Sequence, residues 1–139
     1  MGMYTGLRLD VILRAETPAA VLQILDHMLK SEGEEVVTPD DPFFKTERWN
    51  WMLRGTSAYL DEFKPDSFRN NLNLKVQFQI KNYTQEIERF LAWISPYVEQ
   101  LRSGAFRYEE MKGEVPITFK DGVLEFDYNH PNAEEGIEY

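Results

Sequence analysis

Hydrophobic and polar residues alternate along residues 4–14. Leu7, Leu9, Val11 and Leu13 fall on one parity, Arg8, Asp10 and Arg14 on the other, and Ile12 is the apolar exception on the polar side. Successive side chains of a strand point to opposite faces, so the pattern predicts a strand with one buried face. The same alternation returns at 72–81. There Leu72, Leu74, Val76, Phe78 and Ile80 share one face, and Asn73, Lys75, Gln77, Gln79 and Lys81 share the other. Near the C-terminus, alternating stretches at 115–119 and 123–128 flank Lys120-Asp121-Gly122. An Asp-Gly pair between such stretches predicts a tight hairpin. Residues 106–111 read as one more strand.

Two segments follow a helical period instead. Thr17-Pro18 reads as a helix start, with Thr able to cap free amides and Pro tolerated where its missing N–H costs nothing. Val21, Leu22, Leu25, Met28 and Leu29 follow at helical spacing, and Gly33 is a fitting stop. The second helix is expected to start at Asn82, with Gln85 completing a capping box. Its stripe is Ile87, Phe90, Leu91, Ile94, Val98 and Leu101, kinked at Pro96 and closed by Gly104. Between these elements, residues 32–48 read as loop, 49–60 as extended chain and 61–71 as a second loop.

The resulting order is strand, helix, strand, strand, helix, strand, followed by an extra hairpin. Both helices carry one apolar stripe and the two best strands carry one apolar face. This predicts an α+β fold, a ferredoxin-like two-layer sandwich. Its antiparallel sheet would have two helices on one face and an additional C-terminal β-hairpin. Residues 1–128 are expected to form this single domain, and 129–139 an acidic, flexible C-terminal tail.

Composition supports a real core. The chain has 139 residues, 42% of them hydrophobic and 14% aromatic, too much bulky apolar matter for a disordered chain. Cysteine is absent, which excludes a disulfide scaffold, a thiolate metal site and a Cys nucleophile. The start Met1-Gly2-Met3-Tyr4 leads into a strand pattern without a basic and then apolar leader, so a cytoplasmic location is expected. No apolar run approaches the ~20 residues of a membrane span. The formal charge of −9 disfavours non-specific binding to nucleic acid or to an anionic membrane, and matches an ordinary solvated surface of bacterial type.

Motifs that carry chemistry are scarce. The two histidines, His27 and His130, form no pair at ligand spacing and belong to no HExxH pattern. The five serines lack a nucleophile-elbow context: Gly55-Thr56-Ser57-Ala58 is not G-x-S-x-G. No Walker loop or GxGxxG is present. Acidic pairs such as Asp40-Asp41, Asp61-Glu62 and Glu109-Glu110 read as solvated charge; the loop pairs beside aromatics are the least ordinary. The polar positions of the two clean strands offer no ring on which a nucleic-acid base could stack. No catalytic residue, metal ligand or cofactor is assigned.

Two features remain as candidates for binding. If the two clean strands are neighbours, Arg8, Asp10, Arg14, Lys75, Gln77, Gln79 and Lys81 share the helix-free face, four cations against one anion on an acidic chain. Such a face suits a small anionic ligand, an acidic partner or a second copy of the chain. An ordinary wet sheet face is the plain alternative. The second feature is the aromatic stretch from Phe43 to Phe68, with Trp49 and Trp51 as candidate contacts and core sealing as the plainer role. The leading expectation is a non-enzymatic binding protein, of phage or other mobile-element origin, with a protein partner or self-association. Behind it stand a binder of small anionic ligands and a carboxylate- or metal-dependent enzyme.

Overall fold

A computed structural model describes residues 4–30, 37–46, 49, 52–54, 67–81, 85–108 and 114–127. The elements run β1 (Tyr4–Leu13), α1 (Ala19–Lys30), β2 (Phe68–Asn70), β3 (Asn73–Lys81), α2 (Glu86–Ile94), β4 (Val98–Tyr108), β5 (Val115–Lys120) and β6 (Val123–Phe126). Short 3-10 turns occupy Pro42–Lys45, Met52–Arg54 and Ser95–Tyr97. The strands join in one six-stranded antiparallel sheet of order β2-β3-β1-β4-β5-β6. This is the expected α+β sheet with two helices and a C-terminal hairpin.

The alternation read from the sequence becomes two faces. Leu7, Leu9, Val11 and Leu13 of β1 are at most 2% exposed, and Leu74, Val76, Phe78 and Ile80 of β3 at most 1%. They form one core with Ile24, Leu25 and Met28 of α1 and with Ile87, Phe90, Leu91 and Ile94 of α2. Burying an aliphatic or aromatic side chain of this size stabilises by about 1.5–3 kcal/mol, so the inward parity fixes which way each strand faces.

Aromatic rings continue this core on the helix side. Phe43 is fully buried, held in its 3-10 turn by its amide donating to the Asp41 carboxylate at 2.9 Å. Its ring lies 5.7 Å from Trp93 and 5.5 Å from Phe90. Phe44 meets Trp93 and Trp49 edge-on, both at 5.0 Å. Trp49 therefore packs against the core.

Five expectations are corrected. The second helix ends at Ile94, and Val98, Leu101 and Gly104 belong to β4. The reason lies in two bulges: Asp10 pairs Ser103 but Val11 pairs Leu101, and Ile12 pairs Gln100 but Leu13 pairs Val98. Arg102 and Glu99 are the extra residues, so core positions on β4 fall three apart and imitate a helical period. Within the stretch expected to be extended, Met52–Arg54 form a 3-10 turn with Met52 and Leu53 fully buried. Within the expected loop 61–71, Phe68–Asn70 pair with β3 as a strand. Among the described residues the Thr17 hydroxyl caps no amide of α1; it donates to the Arg14 carbonyl at 2.7 Å. At α2, Gln85 precedes the helix in a left-handed conformation without a side-chain cap. Asn82, the expected cap, lies outside the described residues, as do Gly33, Ser57, Asp61-Glu62, Glu109-Glu110, His130 and the tail 129–139.

The hairpin is as expected. Asp121 and Gly122 take φ of 53° and 76°, the left-handed pair that matches the twist of two antiparallel strands. Among the described residues β5 pairs with β4 at Ala105–Pro116 and Phe106–Val115. Gly104 makes this possible, since a Cβ there would stand 3.1 Å from both Ile117 Cβ and Leu9 Cδ1. Phe126 stacks on Phe106 at 3.8 Å, and β6 lies against α2.

Ser95 joins these parts. Its buried hydroxyl donates to the Leu91 carbonyl and accepts from the Leu124 amide at 2.9 Å. Replacing it leaves a buried N–H unsatisfied, a loss of about 1–3 kcal/mol. Ser95→Ala is expected to lower stability by that amount in urea denaturation. Thr118→Ala, on an exposed 3.4 Å bond to the Glu125 carbonyl, is expected to change it by less than ~0.5 kcal/mol.

Candidate functional site on the open sheet face

The polar parity of β1 and β3 forms the face opposite the helices. In antiparallel strands directly opposed residues share a face, and the register sets two rows. One runs Phe68, Lys75, Asp10, Ser103 across β2, β3, β1 and β4; the next runs Gln77, Arg8, Ala105, Pro116 across β3, β1, β4 and β5. Arg8, Asp10, Lys75, Gln77 and Ser103 line a shallow depression of about 220 Å³, together with Leu9 and Val76. Four residues of the expected face therefore converge in one place.

The others separate from it. β1 ends at Leu13, and Arg14 stands in the turn toward α1, its amide donating to the Tyr97 carbonyl at 2.8 Å. Arg14 consequently lies at the end of the sheet, not on its open face. Gln79 and Lys81 continue along β3, opposite Gly6 and Tyr4. Trp49 lies on the helix side, half-buried, 6.1 Å from the His27 ring. Trp51 lies outside the described residues.

Electrostatically the depression is mixed. Arg8 grips Glu114 with two bonds, Nε to Oε1 at 3.3 Å and Nη2 to Oε2 at 2.5 Å, and Nη1 reaches Ser103 Oγ at 3.4 Å. Planar forks of this kind fix orientation as well as charge. Asp10 accepts from Asn73 Nδ2 at 2.7 Å. Lys75, opposite Asp10, is exposed, and among the described residues it forms no ion pair. Gln77 is tied through its backbone to Ser67, the amide donating to Oγ at 3.0 Å.

Phe68 borders the depression from β2 and is 40% exposed. Its placement depends on its neighbour. Arg69 points to the helix side, where Nε and Nη2 donate to the two Asp26 oxygens at 2.8 and 2.7 Å, and Nη1 donates to the Asn71 carbonyl at 2.7 Å. Arg69 thus braces a three-residue edge strand against α1 and turns Phe68 outward. The hydrogen bond to Asp26 is the main cause of a raised Arg69 pKa, opposed by partial burial. Raised means that, toward alkaline pH, the guanidinium's share of the stability persists through neutral and mildly alkaline conditions and is lost as the guanidinium deprotonates.

Sequence reasoning did not select Phe68, Ser103 or Glu114 for this face. Ser103 was concealed by the bulged strand, Phe68 stood in an expected loop, and Glu114 precedes a strand with no pattern of its own. Among the described residues no group of three or more His, Asp or Glu is placed to hold a metal ion, and no helix is long and apolar enough to cross a membrane. His27 Nδ1 is buried and makes no hydrogen bond among the described residues. Comparison with protein-family models, with curated proteins and with solved structures yields no match.

The three described Arg–carboxylate pairs differ enough to be separated by experiment. Double-mutant cycles to alanine, read by urea denaturation, should return a coupling of about 1 kcal/mol for Asp26–Arg69. The solvent-exposed Arg14–Glu16 pair, 3.8 Å apart, should return close to zero, and Arg8–Glu114 an intermediate value that falls with added salt.

Proposed function

We propose that this domain is a non-enzymatic protein-binding module that docks its partner on the open face of the sheet. The carrying observation is an exposed ring, Phe68, beside the depression formed by Lys75, Asp10, Arg8 and Ser103. Aromatic and arginine side chains are enriched where protein surfaces meet, and a few of them carry most of the affinity. At about 220 Å³ the depression is smaller than the roughly 300–1,000 Å³ of sites that enclose a whole small molecule. It has the size for one partner side chain. Lys75, a cation without an ion pair among the described residues, favours a partner carboxylate there, with an apolar residue against Phe68.

The rest of the face supports the same reading. Apart from Phe68 on the edge strand, the side chains of the depression lie on β3, β1 and β4, each paired with a strand on both sides, so little order has to be gained there on binding. Arg8 and Asp10 are held in place by Glu114 and Asn73 and set the charge pattern a partner has to match.

The test compares face variants with a control. Lys75→Glu combined with Phe68→Ser should reduce capture of the partner at least tenfold, about 1.4 kcal/mol or more, without changing the thermal midpoint by more than a few degrees. Arg89→Glu, an exposed position on α2, should leave capture intact. Sedimentation of the purified chain at low and high salt distinguishes a second copy from a different protein. Equal capture by wild type and the face double variant would overturn the proposal.

A further inference from the structure

The arginine that leaves the open face belongs to a second depression, of about 420 Å³, at the end of the sheet. It is lined by Arg14, Glu16, Thr17, Pro18, Pro96 and Tyr97. We infer that this is a binding site for a carboxylate carried on a flat apolar body, with Arg14 taking the carboxylate and Tyr97 and the two prolines taking the body.

Three observations carry this. First, the volume lies within the range of sites that enclose a small ligand. Second, the Arg14 guanidinium is available. The arginines at 8 and 69 are spent on two-bond forks to Glu114 and Asp26. Arg14 only approaches Glu16 at 3.8 Å, with side chains 45% and 74% exposed, and its side chain makes no hydrogen bond among the described residues. An exposed pair at that distance is worth little, so a carboxylate that offers Arg14 a two-bond fork displaces Glu16 at small cost. Third, the backbone under these side chains is fixed. The Arg14 amide donates to the Tyr97 carbonyl at 2.8 Å, and the Thr17 hydroxyl and amide both donate to the Arg14 carbonyl, at 2.7 and 3.1 Å. The backbones that carry the cation and the ring are thereby held together. Tyr97 is also backed by Trp93, ring centroids 6.4 Å apart, and proline rings add stiff apolar walls that lose no rotamer freedom.

The carboxylate could come from a free small acid or from the C-terminus of a peptide ending in an apolar residue. The experiment separates them. Amide resonances are followed by NMR while the full chain is titrated with benzoate, benzamide, the peptide Gly-Gly-Phe and its C-terminal amide, each to about 10 mM, above the ~1 mM Kd expected of a single such fork. Benzoate or the free-acid peptide should move the amides of Arg14, Thr17 and Tyr97, and the neutral counterparts should not. Whichever acid binds at least tenfold tighter identifies the source. Arg14→Gln should weaken the binding at least tenfold, and Glu16→Gln, which removes the competing carboxylate, should tighten it about threefold. Both positions are exposed, and an otherwise superimposable spectrum verifies the fold. The inference is overturned if neither acid moves these amides, if benzamide binds as well as benzoate, or if Arg14→Gln binds like the wild type. None of these outcomes bears on the open face, because Lys75 and Phe68 lie outside this depression.

Discussion

The central strand β1 is bonded on both edges, to β3 along nine register positions and to β4 along another nine. Its side chains alternate between a dry face and a wet one, and a shift of one residue against either neighbour would exchange them. Such a shift would place Arg8 and Asp10 in the core and bring Leu7, Leu9 and Val11 to solvent. Burying an unpaired charge is so unfavourable that the register has one solution. The helices, the braced edge strand and the C-terminal hairpin all attach to the face this register creates.

The parts of the fold governed by that alternation were legible in the sequence. β1, β3 and the Asp121-Gly122 hairpin each show a local signature whose physical cause acts within a few residues. The open face followed from it, and Arg8, Asp10, Lys75 and Gln77 do meet there. What was not legible depends on pairing between distant segments. The bulges at Glu99 and Arg102 exist only relative to β1, and they change the apolar spacing of Val98, Leu101 and Gly104 from two to three. A single strand read alone then carries a helical period. Phe68–Asn70 is too short to announce itself, and is a strand only because β3 lies beside it and Arg69 reaches Asp26. Arg14 continued the parity of β1 by one residue, and no local signal told that the chain had already turned.

Charge is distributed unevenly in its engagement as well as in its sign. Arg69 and Arg8 have similar partners but different settings: the first is 18% exposed and braces an element, the second is 39% exposed and shapes a surface. Arg14 is nearly free of such duty. A count of cations on a face therefore overstates the field that a ligand would feel there, since Arg8 arrives with Glu114 attached. The sequence places four cations against one anion, whereas the described depression holds Arg8 and Lys75 against Asp10 and the neighbouring Glu114.

Ser95 has one more consequence, at the far end of the sheet. A terminal strand normally presents a ladder of unmet donors and acceptors that can recruit a strand from another molecule. Here the amide of Leu124 in β6 is already satisfied from the end of α2, and only four residues of strand are available. One rung of that edge is thus closed from within its own chain, which shortens the template that β6 offers to an added strand.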